Sequence, residues 1–134
     1  MNKQLLNDLI LHSAEVLSVN CHKAAFDAGW WHNLKTGELL TGLPAKRNVP
    51  ELLCLIHSEV SEAMEGYRKN LMDDKLAHRS MLEVELADAA IRIFDLSGGL
   101  GLDIAGAIAE KLAYNAQRED HKKQSRLADN GKKF

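Results

Sequence analysis

Proline is confined to one stretch of this 134-residue chain. Pro44 and Pro50 lie in or beside residues 29–48, whose richness in Gly, Asn and Thr predicts a long loop. Elsewhere the apolar residues recur at helical spacing, with no alternating strand pattern. Helices are expected over about 3–26, 50–70, 77–97 and 103–120. The predicted fold class is therefore all-α, most simply a four-helix arrangement.

Local signals place the helix ends. Pro50 favours a first helical turn, the pair Gly98–Gly99 predicts the stop of the third helix, and Asp103 is the expected N-cap of the fourth. We expect a single domain over residues 1–120, including the loop 29–48, followed by a polar tail over 121–134 that frays.

The composition excludes some classes of partner. Lys and Arg total 17 and Asp and Glu total 19, so the net charge of −2 gives no general reason to expect nucleic acid or a membrane. No apolar stretch approaches the roughly 20 residues of a membrane span. Cys21 and Cys54 lack metal-ligand or redox spacing and are expected to be reduced thiols. The prediction is a soluble cytoplasmic protein.

Two acidic pairs are the strongest chemical signal. Glu59 and Glu62 are spaced i, i+3, as are Glu85 and Asp88, so each pair projects from one face of its helix. Four converging carboxylates would repel one another unless a cation lay between them. Oxygen ligands alone favour Mg²⁺, with Mn²⁺ also possible, over zinc or copper. No glutamate is followed three positions later by histidine, which counts against a ferritin-like di-iron site.

The helical wheel gives each pair a setting. On the second helix, Glu59 and Glu62 are expected on the edge of the apolar arc rather than within it. The third helix is apolar nearly all round, which indicates enclosure by protein. Its polar residues form one strip: Glu85, Asp88, Arg92 and Asp95. The alternative to a metal site is a salt-bridge ladder that uses Arg92. The apolar arc of the second helix is Leu52, Leu53, Ile56, Val60, Ala63 and Tyr67.

The fourth helix carries Lys111, Asn115 and Arg118 at i, i+4 and i+7. A cation, an amide and a guanidinium on one face suit phosphate oxygens, and the alternative is a solvated charged face. Near the N-terminus, Asn20 falls on the apolar stripe of the first helix, where its amide needs a partner in the backbone, a neighbouring subunit or a base edge.

The two tryptophans follow the first helix directly. Trp30 or Trp31 can stack on a nucleobase, or either can fasten the loop to the core. The near-wholly apolar third helix needs more cover than three short companions supply, so we expect a homodimer or homotetramer.

These motifs resemble the MazG-like all-α nucleoside triphosphate pyrophosphohydrolase superfamily, which includes the dimeric all-α dUTPases. The family pattern Glu-x-x-Glu, then Glu-x-x-Asp, matches the four acids across a spacer of 22 residues, and Lys-x-x-x-Asn-x-x-Arg follows it. The segment Leu55–Ala63 is particularly similar to family sequences. The segment 35–48 looks like an insertion, which leaves base specificity open.

The resemblance implies a MazG-like four-helix bundle that cleaves a nucleoside triphosphate between the α and β phosphates. The carboxylates would hold Mg²⁺, with Glu59 or Glu62 polarising water. By the same resemblance Lys111 and Arg118 would bind phosphate, and Asn115 phosphate or sugar. The base would lie near the tryptophans and His22, for which a surface position is the alternative. The competing hypothesis is a non-catalytic helical oligomer that binds a nucleotide or a protein partner.

Overall fold

A computed structural model describes residues 2–133, which form only helices and loops. The predicted all-α class is confirmed. None of the described helices combines the length and the apolar character that a membrane span requires. The α-helices are α1 (Lys3–Asp27), α2 (Val49–Lys69), α3 (Met81–Leu100), α4 (Ile104–Gln117) and α5 (Lys123–Leu127), with a 3₁₀ turn at Glu119–His121.

The chain packs as two compact units. One unit is Val16–Leu102, and the other joins the residues up to Glu15 with those from Asp103 onward. The predicted boundaries of one domain over 1–120 and a tail over 121–134 stay predictions. Within that tail, α5 forms where fraying was expected.

Helix α2 begins as its sequence predicts. The side chain of Asn48 accepts a hydrogen bond from the Glu51 backbone N–H, and Pro50 occupies the first turn. Two residues of the predicted apolar arc, Val60 and Tyr67, are 52% and 72% exposed in the single chain. The most deeply buried residues of α2 are Glu59, Ala63 and Gly66.

Helix α3 starts later and ends later than predicted. Ser80 and Glu83 form a capping box, so the helix begins at Met81 rather than near Ala77. It also runs through the two glycines that were expected to stop it and is capped by Gly101, whose φ is 71°.

Gly98 and Gly99 have a packing role instead. A Cβ on Gly99 would lie 2.1 Å from the Trp31 ring, and one on Gly98 would lie 2.5 Å from the Cβ of His22. Both glycines therefore permit a close approach that any larger residue would obstruct. The helical conformation survives because tertiary packing outweighs the low helix propensity of glycine.

Trp31 is the centre of the core of unit Val16–Leu102. It is 1% exposed and packs with Leu96 and Leu100. Partly buried apolar residues surround this group: Ala25, Phe26, Val49, Leu52 and Ile56.

Backbone hydrogen bonds hold the loop before α2 against this core. The Leu40 N–H donates to the Trp31 carbonyl at 2.9 Å, and the Gly42 N–H donates to the Gly99 carbonyl at 2.7 Å. Residues 33–38, between Trp31 and Leu40, form the tip of the loop, in which the Asn33 N–H donates to the Glu38 carbonyl at 2.9 Å.

Helix α4 begins at the predicted cap. The Asp103 carboxylate accepts from the Gly106 N–H at 2.8 Å. The helix ends at Gln117, and Arg118 has an extended backbone with ψ 127°. The helix therefore ends three residues before the predicted end near Asp120, so that only Lys111 and Asn115 of the three predicted residues lie within the regular helix.

Candidate metal site and adjoining groove

Three of the four predicted acids converge where α2 packs on α3. Glu59, Glu85 and Asp88 each offer a carboxylate oxygen, and these oxygens all lie within 4.8 Å of one another. Glu59 and Glu85 are buried, at 7% and 8% exposure, while Asp88 is open to solvent. We call these three residues the acid cluster.

Small residues let the two helices approach closely enough to form it. A Cβ on Gly66 would lie 2.8 Å from the Cβ and Cγ atoms of Met81, so only glycine fits there. Ala63 and Ala89 are buried in the same two helices. Because the helices are this close, Glu59 and Glu85 on neighbouring turns are buried between them, although burial of a carboxylate is costly.

The electrostatics show that cost. Burial raises the pKa of Glu85 to about 7, with a hydrogen bond from protonated Glu85 to Glu59 and the charges of Glu62, Glu59 and Asp88 acting in the same direction. The pKa of Asp88 is also raised, first by burial and then by the charge of Glu59. Without a cation, Glu85 and Asp88 therefore hold their protons to a higher pH than ordinary carboxyl groups do. A bound cation would compensate the negative charge instead.

One cation does reach the cluster. The Arg92 Nε donates to Glu59 Oε1 at 2.6 Å, as the salt-bridge alternative anticipates. The Arg92 side chain is 43% exposed. Its charge also opposes the rise in the pKa of Asp88 without reversing it. Arg92 therefore accounts for Glu59 and in part for Asp88, but it does not lower the raised pKa of Glu85.

The fourth predicted ligand lies at the margin. Glu62 is exposed and is not among the three converging carboxylates, although its charge contributes to the raised pKa of Glu85. A further acid, Asp73, was not predicted; it is 7% exposed, and its charge also raises the pKa of Asp88. Its position in the α2–α3 loop carried no helical spacing that could have indicated it.

The donor set suits a hard divalent ion. All three converging atoms are carboxylate oxygens, two of them buried and one open, which leaves room for water or substrate oxygens. A bound cation would lower the raised pKa of Glu85, because it would stabilise the ionised carboxylate. These residues fit Mg²⁺ or Mn²⁺ by the chemistry of their ligands.

A groove of about 600 Å³ adjoins the acid cluster. Asp88 belongs to both, and Arg92, which is bonded to Glu59 of the cluster, also lines the groove. Apolar side chains from α1, α2 and α3 line much of it, including Leu52, Leu55 and Ile91. Its size suits a nucleoside-sized ligand.

The two tryptophans differ sharply. Trp30 lines the groove and is 68% exposed, so its ring is available for stacking. Trp31 is buried, which matches the alternative that it fastens the loop to the core, and its enclosed ring offers no face to a base. Arg47, which lines the groove from the loop, donates to the Trp30 carbonyl and lies 5.3 Å from the centre of the Trp31 ring.

Asp95 organises the inner end of the groove. Its Oδ1 accepts hydrogen bonds from Trp31 Nε1 at 2.7 Å and from His22 Nδ1 at 3.0 Å. His22 is thus partly buried rather than a free surface residue. The sequence analysis placed Asp95 on the polar strip of α3 without giving it a role. Asn20 is exposed, and its amide donates to the Val16 carbonyl at 2.7 Å, so its partner is the backbone.

The predicted phosphate-binding residues lie in the other unit. The Lys111 ammonium sits 4.9 Å from the centre of the Tyr114 ring. The guanidinium of Arg118 makes two hydrogen bonds to Asp120, at 2.9 and 2.6 Å. Asn115 Oδ1 is buried and has no hydrogen-bond partner among the described residues.

Comparisons of the chain with protein-family models, with curated proteins and with solved structures give no match.

Proposed function

We propose that this chain is a Mg²⁺-dependent nucleoside triphosphate pyrophosphohydrolase of the MazG-like type. It would cleave between the α and β phosphates to give a monophosphate and pyrophosphate. The observation that supports this most is the convergence of Glu59, Glu85 and Asp88 within 4.8 Å, with a single guanidinium to compensate them. The family assignment rests on the resemblance of the four-acid pattern.

The ion would supply charge compensation for the polyphosphate and orientation of the attacking water. The acid cluster would hold it, and Mn²⁺ has the same preference for oxygen ligands. Arg92 fixes the orientation of Glu59 by occupying Glu59 Oε1. Glu62 is exposed one turn away, which makes its carboxylate the better acceptor for the proton of the attacking water.

The groove would take the nucleoside. It shares Asp88 with the acid cluster and is also lined by Arg92, so a base and sugar in the groove would leave the phosphates beside the carboxylates. Trp30 on its wall would stack on the base. The phosphate contacts of Lys111, Asn115 and Arg118 remain predictions from the resemblance.

The test is pyrophosphate release from a panel of ribo- and deoxyribonucleoside triphosphates in Mg²⁺. Asp88→Asn and Glu62→Gln should each reduce the rate by about 100-fold or more, because ligand and base groups act together. The matched control is Glu65→Gln, an acid of α2 that pairs with Arg68 and Lys69, which should keep the wild-type rate. Hydrolysis that survives both acid substitutions would contradict the assignment.

A non-catalytic helical oligomer is the second candidate, and the Arg92–Glu59 ion pair is the observation that favours it. In that case the acids serve as structural salt bridges. Identical melting curves in EDTA and in Mg²⁺, together with no hydrolysis of any nucleotide, would establish this candidate over the first.

Exposed apolar side chains support the predicted homo-oligomer. Helix α2 leaves Leu53, Val60, Met64 and Tyr67 48–72% exposed, and their spacing places them along one stripe. A second copy of the chain would cover such a stripe. Light scattering should give a dimer or tetramer at micromolar concentration, whereas a monomer would remove this part of the proposal.

A further inference from the structure

We propose that Asp95 determines the base specificity of the groove, by selecting bases that carry an amino group where others carry a carbonyl. Cytosine and adenine carry that amino group, whereas uracil, thymine and guanine have the carbonyl. This inference rests on the proposed function for its ligand class. It adds a residue and a direction of selectivity that the acid cluster does not supply.

The position of Asp95 is the first argument. Asp88, Arg92 and Asp95 line the groove from one strip of α3. The two acids are seven positions apart, which is about 10 Å along a helix at 1.5 Å per residue. That length is comparable to the reach of a nucleotide from its α phosphate to the edge of its base. A nucleotide with its phosphates at Asp88 therefore brings its base to Asp95.

The fixed orientation of the carboxylate is the second argument. Asp95 Oδ1 accepts from Trp31 Nε1 and from His22 Nδ1, so both lone pairs of that oxygen are used. Trp31 is 1% exposed and is held by the core, and His22 packs edge-on against it with ring centroids 5.3 Å apart. Asp95 is thus positioned before any ligand arrives.

The remaining oxygen supplies the selectivity. Asp95 Oδ2 has no hydrogen bond to any residue within 2–133, and the side chain retains 23% of its exposure. An ionised carboxylate only accepts hydrogen bonds. The exocyclic amino group of cytosine or adenine can donate to it, whereas a carbonyl at that position would place two acceptors face to face.

Asp95→Asn tests this directly, because the two N–H donors at Oδ1 determine which way the new amide group is oriented. The indole N–H and the imidazole N–H can bond only to the amide oxygen, so the amide nitrogen must face the groove. The acceptor there becomes a donor with little change in shape. Preference should consequently shift from amino to carbonyl bases.

The measurement is calorimetric binding of two matched pairs in Mg²⁺, dCMP against dUMP and dAMP against dIMP. Wild type should bind the amino member of at least one pair about tenfold or more tightly, the worth of one charge-assisted hydrogen bond. Asp95→Asn should abolish or reverse that ratio. The control Asp27→Asn removes an exposed charge at the end of α1, outside the groove, and should keep the wild-type ratio.

The outcomes separate this inference from the proposed function. Selective binding that Asp95→Asn reverses, without pyrophosphate release, would uphold the inference and remove the hydrolase. Pyrophosphate release with equal binding within both pairs, or with an unchanged ratio in Asp95→Asn, would overturn the inference alone. No binding of any of the four nucleotides overturns it as well. If Asp95→Asn fails to fold, the wild-type ratios decide.

Discussion

The same polar strip of α3 carries two carboxylate sites that are satisfied in opposite ways. Asp95 receives two N–H donors from Trp31 and His22. Glu85, three turns earlier, converges with the carboxylates of Glu59 and Asp88, and within residues 2–133 it has no ion pair; its pKa rises to about 7. A partly buried acid with donors strengthens the fold, whereas a buried acid among acids weakens it. The second arrangement is useful to a protein that binds a cation there.

The largest expected effect falls on the satisfied site. Trp31→Ala removes the buried ring and leaves Asp95 with one donor fewer, so the free energy of unfolding should fall by about 3–5 kcal/mol. Trp31→Phe keeps most of the volume and should lose only about 1–3 kcal/mol. Urea denaturation measures both. Equal losses in the two variants would show that the hydrogen bond, rather than the packing, dominates.

The next effect belongs to the acid cluster. Mg²⁺ at 100 times its dissociation constant should raise the free energy of unfolding by about 2.7 kcal/mol, because it compensates Glu59, Glu85 and Asp88. Thermal denaturation in Mg²⁺ and in EDTA measures the difference. Asp88→Asn should lose most of it, while Glu65→Gln should keep it. A wild-type protein that melts identically with and without Mg²⁺ has no ion in this cluster.

A smaller effect distinguishes repulsion among the carboxylates of the acid cluster from binding of Mg²⁺ by them. Glu85→Gln removes one buried charge from the cluster, so in EDTA at pH 8 the variant should be more stable than wild type by on the order of 1 kcal/mol. The same substitution should weaken the stabilisation by Mg²⁺. Asp95→Asn provides the contrast, since it should not stabilise the protein. A destabilised Glu85→Gln protein in EDTA would mean that the cluster is held by its hydrogen bonds.

The pH dependence has a definite sign. Glu85 has a native pKa of about 7 and an ordinary value of 4.5, so between these values the native state binds more protons than the unfolded state. Stability in EDTA should therefore fall as the pH rises from about 4.5 to about 7, and Asp88 acts in the same direction. Denaturation midpoints across this range should show the fall in wild type and a weaker fall in Glu85→Gln. A rise in both proteins would contradict the raised pKa.

The smallest effect concerns the other tryptophan. Trp30 is 68% exposed, so Trp30→Ala should change the free energy of unfolding by no more than about 0.5 kcal/mol. The contrast with Trp31→Ala is measured by the same urea titration. A loss comparable to that of Trp31→Ala would place Trp30 in the core as well.

The sequence predicted the helices well where local chemistry decides them. Asp103 and Pro50 act at helix starts as expected. It failed at Gly98–Gly99, because propensity counts only the weakness of glycine and not the ring of Trp31 that needs the space. Helical spacing likewise predicted three of the converging acids. It could not predict that Glu59 lies within the buried face of α2, since that depends on the partner helix.

The polar partners were beyond prediction for a similar reason. Asp95, Trp31 and His22 are separated by up to 73 residues along the chain, so no local pattern joins them. Asp73 lies in a loop, so no helical spacing could predict its position near the acid cluster.

The loop tip at Asn33–Glu38 has a practical consequence. Its backbone hydrogen bonds are made within the tip, and the Glu38 side chain accepts from Lys46 Nζ at 2.9 Å. The backbone bond from Leu40 to the Trp31 carbonyl follows the tip. Gly37 has open space where a side chain would be, with φ 73°. Residues inserted beside Gly37 would lengthen the tip and leave the hydrogen bond between Leu40 and Trp31 in place. An epitope or a fluorescent reporter can be carried there, because nothing lies within 4 Å of the position a side chain would take.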